Sequence, residues 1–95
     1  MAQVIVALQK RVDFLLDYLS DSWRELPRVE GEIDNWDTIE QVDYVEEWGP
    51  KEALLDELRR YASDGQMTEE QRGRYSQLEH FIAEHRRILT RLRES

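Results

Sequence analysis

Carboxylates and histidines are the side chains of this chain that could do chemistry, by holding a metal ion or by moving a proton. The sequence has 21 acidic residues, and its two histidines, His80 and His85, lie close to Glu84. On a helix His80 and Glu84 would share a face, whereas His85 would point about 140° away from His80. The three side chains would not converge on one ion, and no Glu-x-x-His or His-Glu-x-x-His motif occurs. We therefore expect no metal site and no cofactor.

The signatures of nucleotide-binding and nucleophilic enzymes are also missing. The four glycines are isolated from one another, so no glycine-rich phosphate loop is predicted, and no serine has a nucleophile-elbow context. The sequence contains no cysteine, which fits a reducing compartment. We expect a non-enzymatic, cytoplasmic protein without catalytic residues. A carboxylate-rich metal or catalytic site is the least favoured alternative.

Acidic residues are concentrated in one part of the chain. Residues 30–50 contain eight acids and no base, while acids and bases balance elsewhere, so this stretch carries the whole formal net charge of −8. Nucleic-acid binding depends on Lys and Arg that release counterions, so we expect no nucleic-acid ligand. The apolar run at residues 1–8 is too short to span a bilayer, and no membrane contact is expected. A protein partner with a basic surface is the better match.

The acidic stretch has an unusual repeat. From Ile33 to Trp48 a three-residue unit recurs, in which an apolar residue is followed by an acidic and then a variable one. A period of three matches neither an α-helix nor a strand, so on a helix the apolar stripe winds around the axis. The helix then either contacts neighbours on several sides or leaves part of the stripe outside as a recognition surface. These interpretations are compatible. The candidate partner-binding residues are Trp36, Asp37, Glu40, Asp43, Glu47 and Trp48, with Phe14 and Tyr18 as an extension.

Three side chains outside the regular pattern need an explanation. Phe14 and Tyr18 fall on the acidic side of their predicted helix, so another helix or a partner must cover them. Glu46 falls between the apolar positions of the repeat. Its carboxylate requires an arginine partner or a position at the edge of the packed surface.

Helices must position these side chains. Apolar residues recur at spacings of three and four over residues 3–26 and 69–93, which predicts two long amphipathic helices. Pro27 ends the first, because the residue before a proline is disfavoured in the α region, and a loop is expected at 28–35. Between the long helices, residues 38–48 and 50–62 predict a middle helix that is broken at Gly49-Pro50.

The lengths of these segments predict the fold and, with the charge, a function. Each of the three helical spans is about 35 Å long at 1.5 Å per residue. They predict one all-α domain over residues 1–95, a small up-down-up bundle of three to four helices. The leucine seams would also allow a homodimer. We expect a protein–protein interaction module or, as the alternative, an acidic inhibitor or antitoxin-like protein that covers a basic or nucleic-acid-binding surface of its partner.

Overall fold

The computed structural model describes residues 2–94, and the side chains from residue 4 onward. Its described residues form an elongated helical bundle with principal extents of 50, 23 and 17 Å. The predicted small all-α bundle is confirmed. Its elements, in chain order, are α1 (Ala2–Glu32), a short 3-10 helix (Ile33–Asn35), α2 (Thr38–Glu46), α3 (Trp48–Ser63) and α4 (Glu69–Glu94).

Helix α1 lies at the centre of the core and packs against both α3 and α4. From Val12 to Val29, its apolar residues at spacings of three and four face the other two helices and are at most 1% exposed. Nearer the start of α1, Val4, Ile5 and Val6 are exposed. The core is therefore built from the apolar seams of α1, α3 and α4, whose principal members are Val12, Leu15, Leu16, Leu19, Trp23, Leu26, Trp48, Leu55, Leu58, Leu78, Ile82, Ile88 and Leu89.

Helix α1 does not end at Pro27, which corrects the predicted boundary and the predicted loop. Pro27 lies inside the helix, where it has no N–H for the carbonyl oxygen of Trp23 and costs about 3 kcal/mol. Val29 and Ile33 remain buried beyond it. Burial of each such side chain contributes roughly 1.5–3 kcal/mol, which is enough to offset the proline. The burial of Val29 and Ile33 therefore outweighs the tendency of Pro27 to end the helix.

The break in the middle helix occurs close to the predicted place. Helix α2 ends at Glu46, and α3 begins at Trp48, so the boundaries differ by two residues from those expected. Pro50 accounts for the break, because it has no N–H to donate to the carbonyl oxygen of Glu46, four residues earlier. In the first turn of α3 the same missing N–H costs no helical hydrogen bond.

Side-chain pairs record the relative order of the helices. Between α1 and α4, Gln71 bonds to Asp13 near one end and Arg91 pairs with Glu30 near the other. Residues farther along α1 therefore pair with residues farther along α4. Between α1 and α3 the order is reversed, since Arg11 bonds to Glu57 at 2.8 Å while Trp23 packs on Trp48, farther along α1 and earlier in α3. The up-down-up arrangement stays a prediction, which this order of pairs supports.

The ends of α2 and α4 are fixed by their capping residues. Asp37 Oδ1 accepts the backbone N–H of Glu40 at 2.9 Å, which begins α2 at Thr38. At α4 the Thr68 hydroxyl accepts the N–H of Gln71, and the Gln71 side chain accepts the N–H of Thr68, a complete capping box. The cap at Asp37 fixes the residue at which α2 begins.

Candidate functional site

Helix α2 is attached to the bundle along one side only. None of its residues is buried. On the inner side, the Gln41 amide donates to the backbone oxygens of Ile33 and Trp36, both at 2.9 Å. The Tyr44 ring makes edge contacts with the rings of Trp36 and Trp48, at centroid distances of 5.7 and 6.4 Å. Because these contacts hold the inner side, the opposite side of α2 is left open.

The open side of α2 is both apolar and acidic. Ile39 and Val42 are 74% and 48% exposed, although apolar residues of this size are usually inside. Asp43 and Glu46 follow them at spacings of four and share the same side of the helix. We call these four residues the outer α2 face. The period-three repeat has thus placed part of its apolar stripe in solvent.

Most carboxylates around this face have no cationic partner. In the acidic stretch, Glu32 pairs with Arg28 at 2.9 Å and Glu47 approaches Lys51 at 3.9 Å, while Glu30 pairs with an arginine of α4. Among residues 2–94 no ion pair involves the other five acids of the stretch, which are Asp34, Asp37, Glu40, Asp43 and Glu46. The negative charge of α2 is therefore not neutralised within the bundle.

The cap of α2 brings two carboxyl groups together. Hydrogen bonding of the Glu40 carboxyl with that of Asp37, and next the repulsion between their charges, raise the pKa of Glu40 above its ordinary value. A raised carboxyl pKa means that the ionised form is disfavoured at this position. A cation brought to this end of α2 would relieve that repulsion.

A groove runs beside the outer α2 face. It has a volume of about 410 Å³ and separates α2 from the end of α4. Four apolar side chains line it, together with the carboxylates of Asp34 and Glu46 and the guanidinium group of Arg93. Glu46 therefore has the edge position that the sequence required of it. The apolar lining consists of Ile33, Val42, Val45 and Leu92.

The two tryptophans of the repeat have different environments. Trp48 is 0% exposed and packs edge-on against Trp23, with centroids 4.9 Å apart. It belongs to the core and cannot touch a partner in this fold, which corrects its place among the candidate binding residues. Trp36 is half-buried against Tyr44, at the edge of α2. Asp37 is the cap of α2, whereas Glu40, Asp43 and Glu47 are exposed as the surface interpretation requires.

The remaining candidates, Phe14 and Tyr18, form a second exposed pair on α1. Their rings are stacked with centroids 5.8 Å apart, and no helix covers them. Lys51 of α3 lies between this pair and α2, with its ammonium nitrogen 5.9 Å from the Tyr18 ring and 5.9 Å from the Tyr44 ring. Lys51 is 8% exposed and also lies 4.9 Å from the Trp48 ring, so aromatic faces stabilise its charge. The pair therefore adjoins the inner edge of α2 and not its outer face.

The two histidines of α4 have separate partners. His85 is half-buried, stacks on Phe81 at 3.9 Å, and its Nδ1 donates to the Phe81 carbonyl oxygen at 2.8 Å. His80 Nε2 lies 2.9 Å from Glu84 on the exposed side of α4. Within residues 2–94 no group of three or more histidine, aspartate or glutamate side chains is arranged to hold a metal ion.

The leucine seams are used within a single chain. The leucines that the sequence offered for a homodimer interface are buried in the core of one bundle. They are therefore not available to a second copy without unfolding. The large apolar residues that do remain exposed are Val4, Ile5, Val6, Phe14, Tyr18, Ile39 and Val42.

Sequence reasoning missed the main apolar members of the site, Ile39 and Val42. A signal for them was present. Asp37 and Glu40 have capping-box spacing, and a helix that starts after Asp37 places Gln41 and Tyr44 on one side and Ile39 on the other. The side of α2 that faces the bundle depends on long-range contacts, which the local sequence pattern does not predict.

No helix within residues 2–94 combines the length and the apolar character needed to cross a bilayer. Comparisons of the chain with protein families, with curated proteins and with solved structures give no significant match.

Proposed function

We propose that this protein is a non-enzymatic protein–protein interaction module, and that the outer α2 face with its neighbouring groove is the binding surface. The observation that carries the proposal is the exposure of Ile39 and Val42 on a helix that has no buried residue. A short helix attached along one side gains nothing in stability from apolar residues on the other. Covering them with a partner would remove apolar area from water, at roughly 25 cal/mol per Å².

The rest of the molecule suits a scaffold that presents this surface. Helices α1, α3 and α4 form a packed core without α2, so the presented helix can be covered with little change in the bundle. The combination of apolar centre and charged surroundings is typical of interfaces, whose centres are apolar and whose rims are polar. The absence of cysteine supports a cytoplasmic site of action.

A pair of matched variants tests the proposal. Ile39→Ser with Val42→Ser removes the apolar part of the outer α2 face, whereas Phe14→Ser removes an exposed apolar side chain elsewhere. Both should fold like the natural chain, since exposed positions rarely change stability by more than about 0.5 kcal/mol. A protein that co-purifies with the natural chain should be lost from the first variant and kept by the second. Loss with Phe14→Ser alone would overturn the proposal.

The alternative function, an acidic inhibitor or antitoxin-like protein, is favoured by the five carboxylates without ion pairs. Such a protein would cover a basic or nucleic-acid-binding surface of its partner chiefly through charge. Salt distinguishes the two functions. If charge dominates, complex formation should weaken steeply when ionic strength rises, because the Debye length falls from about 10 Å at 0.1 M to about 3 Å at 1 M. An interface that depends on Ile39 and Val42 should keep most of its affinity.

A further inference from the structure

We propose that the outer α2 face and its groove bind a basic amphipathic α-helix of the partner protein, with an apolar side chain in the groove and Lys or Arg residues against Asp34, Asp43 and Glu46. This inference rests on the function proposed above and specifies the partner's chemistry. It joins three features of the surface, which are its helical spacing, its charge and the shape of the groove.

The spacing of the exposed residues favours a helical partner. Val42, Asp43 and Glu46 lie three, four and seven residues after Ile39 along α2, the pattern that helices use to pack on helices. The groove beside them is bounded by α2 on one side and by Leu92 of α4 on the other, and four of its nine lining residues are apolar. Grooves of this kind accept the apolar stripe of an amphipathic helix. The described residues contain no strand, so they offer no sheet edge for an extended peptide.

The charge around the groove determines the sign of the charge that the partner must carry. Asp34 and Glu46 line the groove, and Asp43 lies beside it on the outer α2 face; none of the three has an ion pair among the described residues. The one basic residue of the lining, Arg93, already lies 4.0 Å from Glu52. An acidic partner would meet like charge, which costs several kcal/mol at an interface. Lysine or arginine residues that flank the partner's apolar stripe would instead meet carboxylates.

The same charge argues against a second copy of this chain as the occupant. A two-fold interface brings the same patch of both subunits together. Here that patch would place α2 opposite α2, and residues 30–50 contain eight acids and no base. The repulsion would oppose the apolar contact between the two isoleucines. A different, basic protein is therefore the fitting partner for this face.

The test is a titration of the full 95-residue chain with three synthetic 18-residue peptides, followed by NMR of the backbone amides and by calorimetry. The first peptide is helical and amphipathic, with leucines at spacings of three and four and flanking lysines. The second has the same composition with the leucines dispersed, so it tests charge alone. The third keeps the leucine spacing and replaces lysine by glutamate, so it tests whether the sign of the peptide's charge matters.

We expect the first peptide to bind at least tenfold more tightly than the other two. Its amide shifts should concentrate at Asp34, at residues 39–46 and at Leu92. Ile39→Ser with Val42→Ser should reduce its affinity at least tenfold, and Asp34→Asn with Glu46→Gln should reduce both the affinity and its salt dependence. As a control, Phe14→Ser should leave both unchanged.

Several results would overturn the inference. Equal binding of the dispersed peptide would show that charge alone acts, equal binding of the acidic peptide would show that charge plays no part, and no binding by any peptide would exclude this partner class. Shifts that map to Phe14 and Tyr18 would place the site elsewhere. The proposed function is tested separately, since a co-purifying partner that depends on Ile39 and Val42 but is not a basic helix would refute the inference and leave the function standing.

Discussion

At the scale of single residues, chemically similar side chains of the repeat differ in burial. Trp36 and Trp48 both begin a unit of the repeat, yet one is half-buried at an edge and the other is in the core. Ile39 and Val42 also begin units and are exposed. The difference follows from the break after α2, because Trp48 begins a new helix with its own rotation. Residue type within the repeat therefore did not predict burial.

The two tryptophans should differ in their contribution to stability. Trp48→Ala should lower the free energy of unfolding by about 3–5 kcal/mol, since it removes a fully buried aromatic side chain and leaves a cavity. Trp36→Ala should lower it by about 1 kcal/mol, because this ring is only half-buried. Urea denaturation measures both values. Equal losses would contradict the assignment of Trp48 to the core.

The pair between Arg11 and Glu57 should make stability depend on pH in the acidic range. Hydrogen bonds from Arg11, assisted by one from the Tyr61 hydroxyl at 2.7 Å, lower the pKa of Glu57 to about 2 from the ordinary value of 4.5. The ionised form is therefore favoured by folding. Its stabilising contribution is complete above pH 4.5 and disappears as the pH falls through about 2.

Glu57→Gln tests this dependence. At pH 7 the variant should melt at a lower temperature than the natural chain, and the difference should shrink between pH 4.5 and pH 2. Thermal denaturation over that range measures it, with Asp43→Asn as the control because Asp43 is exposed and has no ion pair among the described residues. A difference in melting temperature that stays constant down to pH 2 would contradict the role of the ionised pair.

At the scale of the elements, local sequence predicted the helices well and their ends less well. Helix α4 and its capping box agree with the prediction because cap, periodicity and burial all favour the same boundary. Helix α1 runs six residues past the expected end, since the buried Val29 and Ile33 outweigh the preference of Pro27. Which side of α2 stays open was not predicted, because the orientation of a short helix is decided by contacts with distant elements.

The proline inside α1 leads to a prediction of increased stability. Pro27→Ala should raise the free energy of unfolding by about 2–3 kcal/mol. It restores an N–H for the Trp23 carbonyl and removes the ring clash, which together are worth about 3 kcal/mol, less up to about 1 kcal/mol of added freedom in the unfolded chain. Pro50→Ala is the matched control. Pro50 lies in the first turn of α3 and interrupts no helical hydrogen bond, so its replacement should not stabilise. Denaturation by urea distinguishes them, and a less stable Pro27→Ala variant would contradict the description of α1.

At the scale of the whole molecule, the packed core and the excess negative charge lie on different elements of the chain. Helices α1, α3 and α4 contain the core, and the ion pairs between them, among the described residues, use six of the 13 basic residues. The acidic stretch lies mainly on the 3-10 helix and α2, which contribute little to that core. Composition alone located this charge. The structure adds that it surrounds exposed apolar residues and a groove, which is the basis of the proposed binding surface.

The most direct test is hydrogen exchange of the backbone amides in the free chain and in complex with a protein that it captures. We expect slower exchange on binding in residues 38–46, because the partner covers α2, and no change around Phe14 and Tyr18 on α1. Slower exchange confined to α1 or α4, with α2 unchanged, would contradict the claim that the outer α2 face is the binding surface.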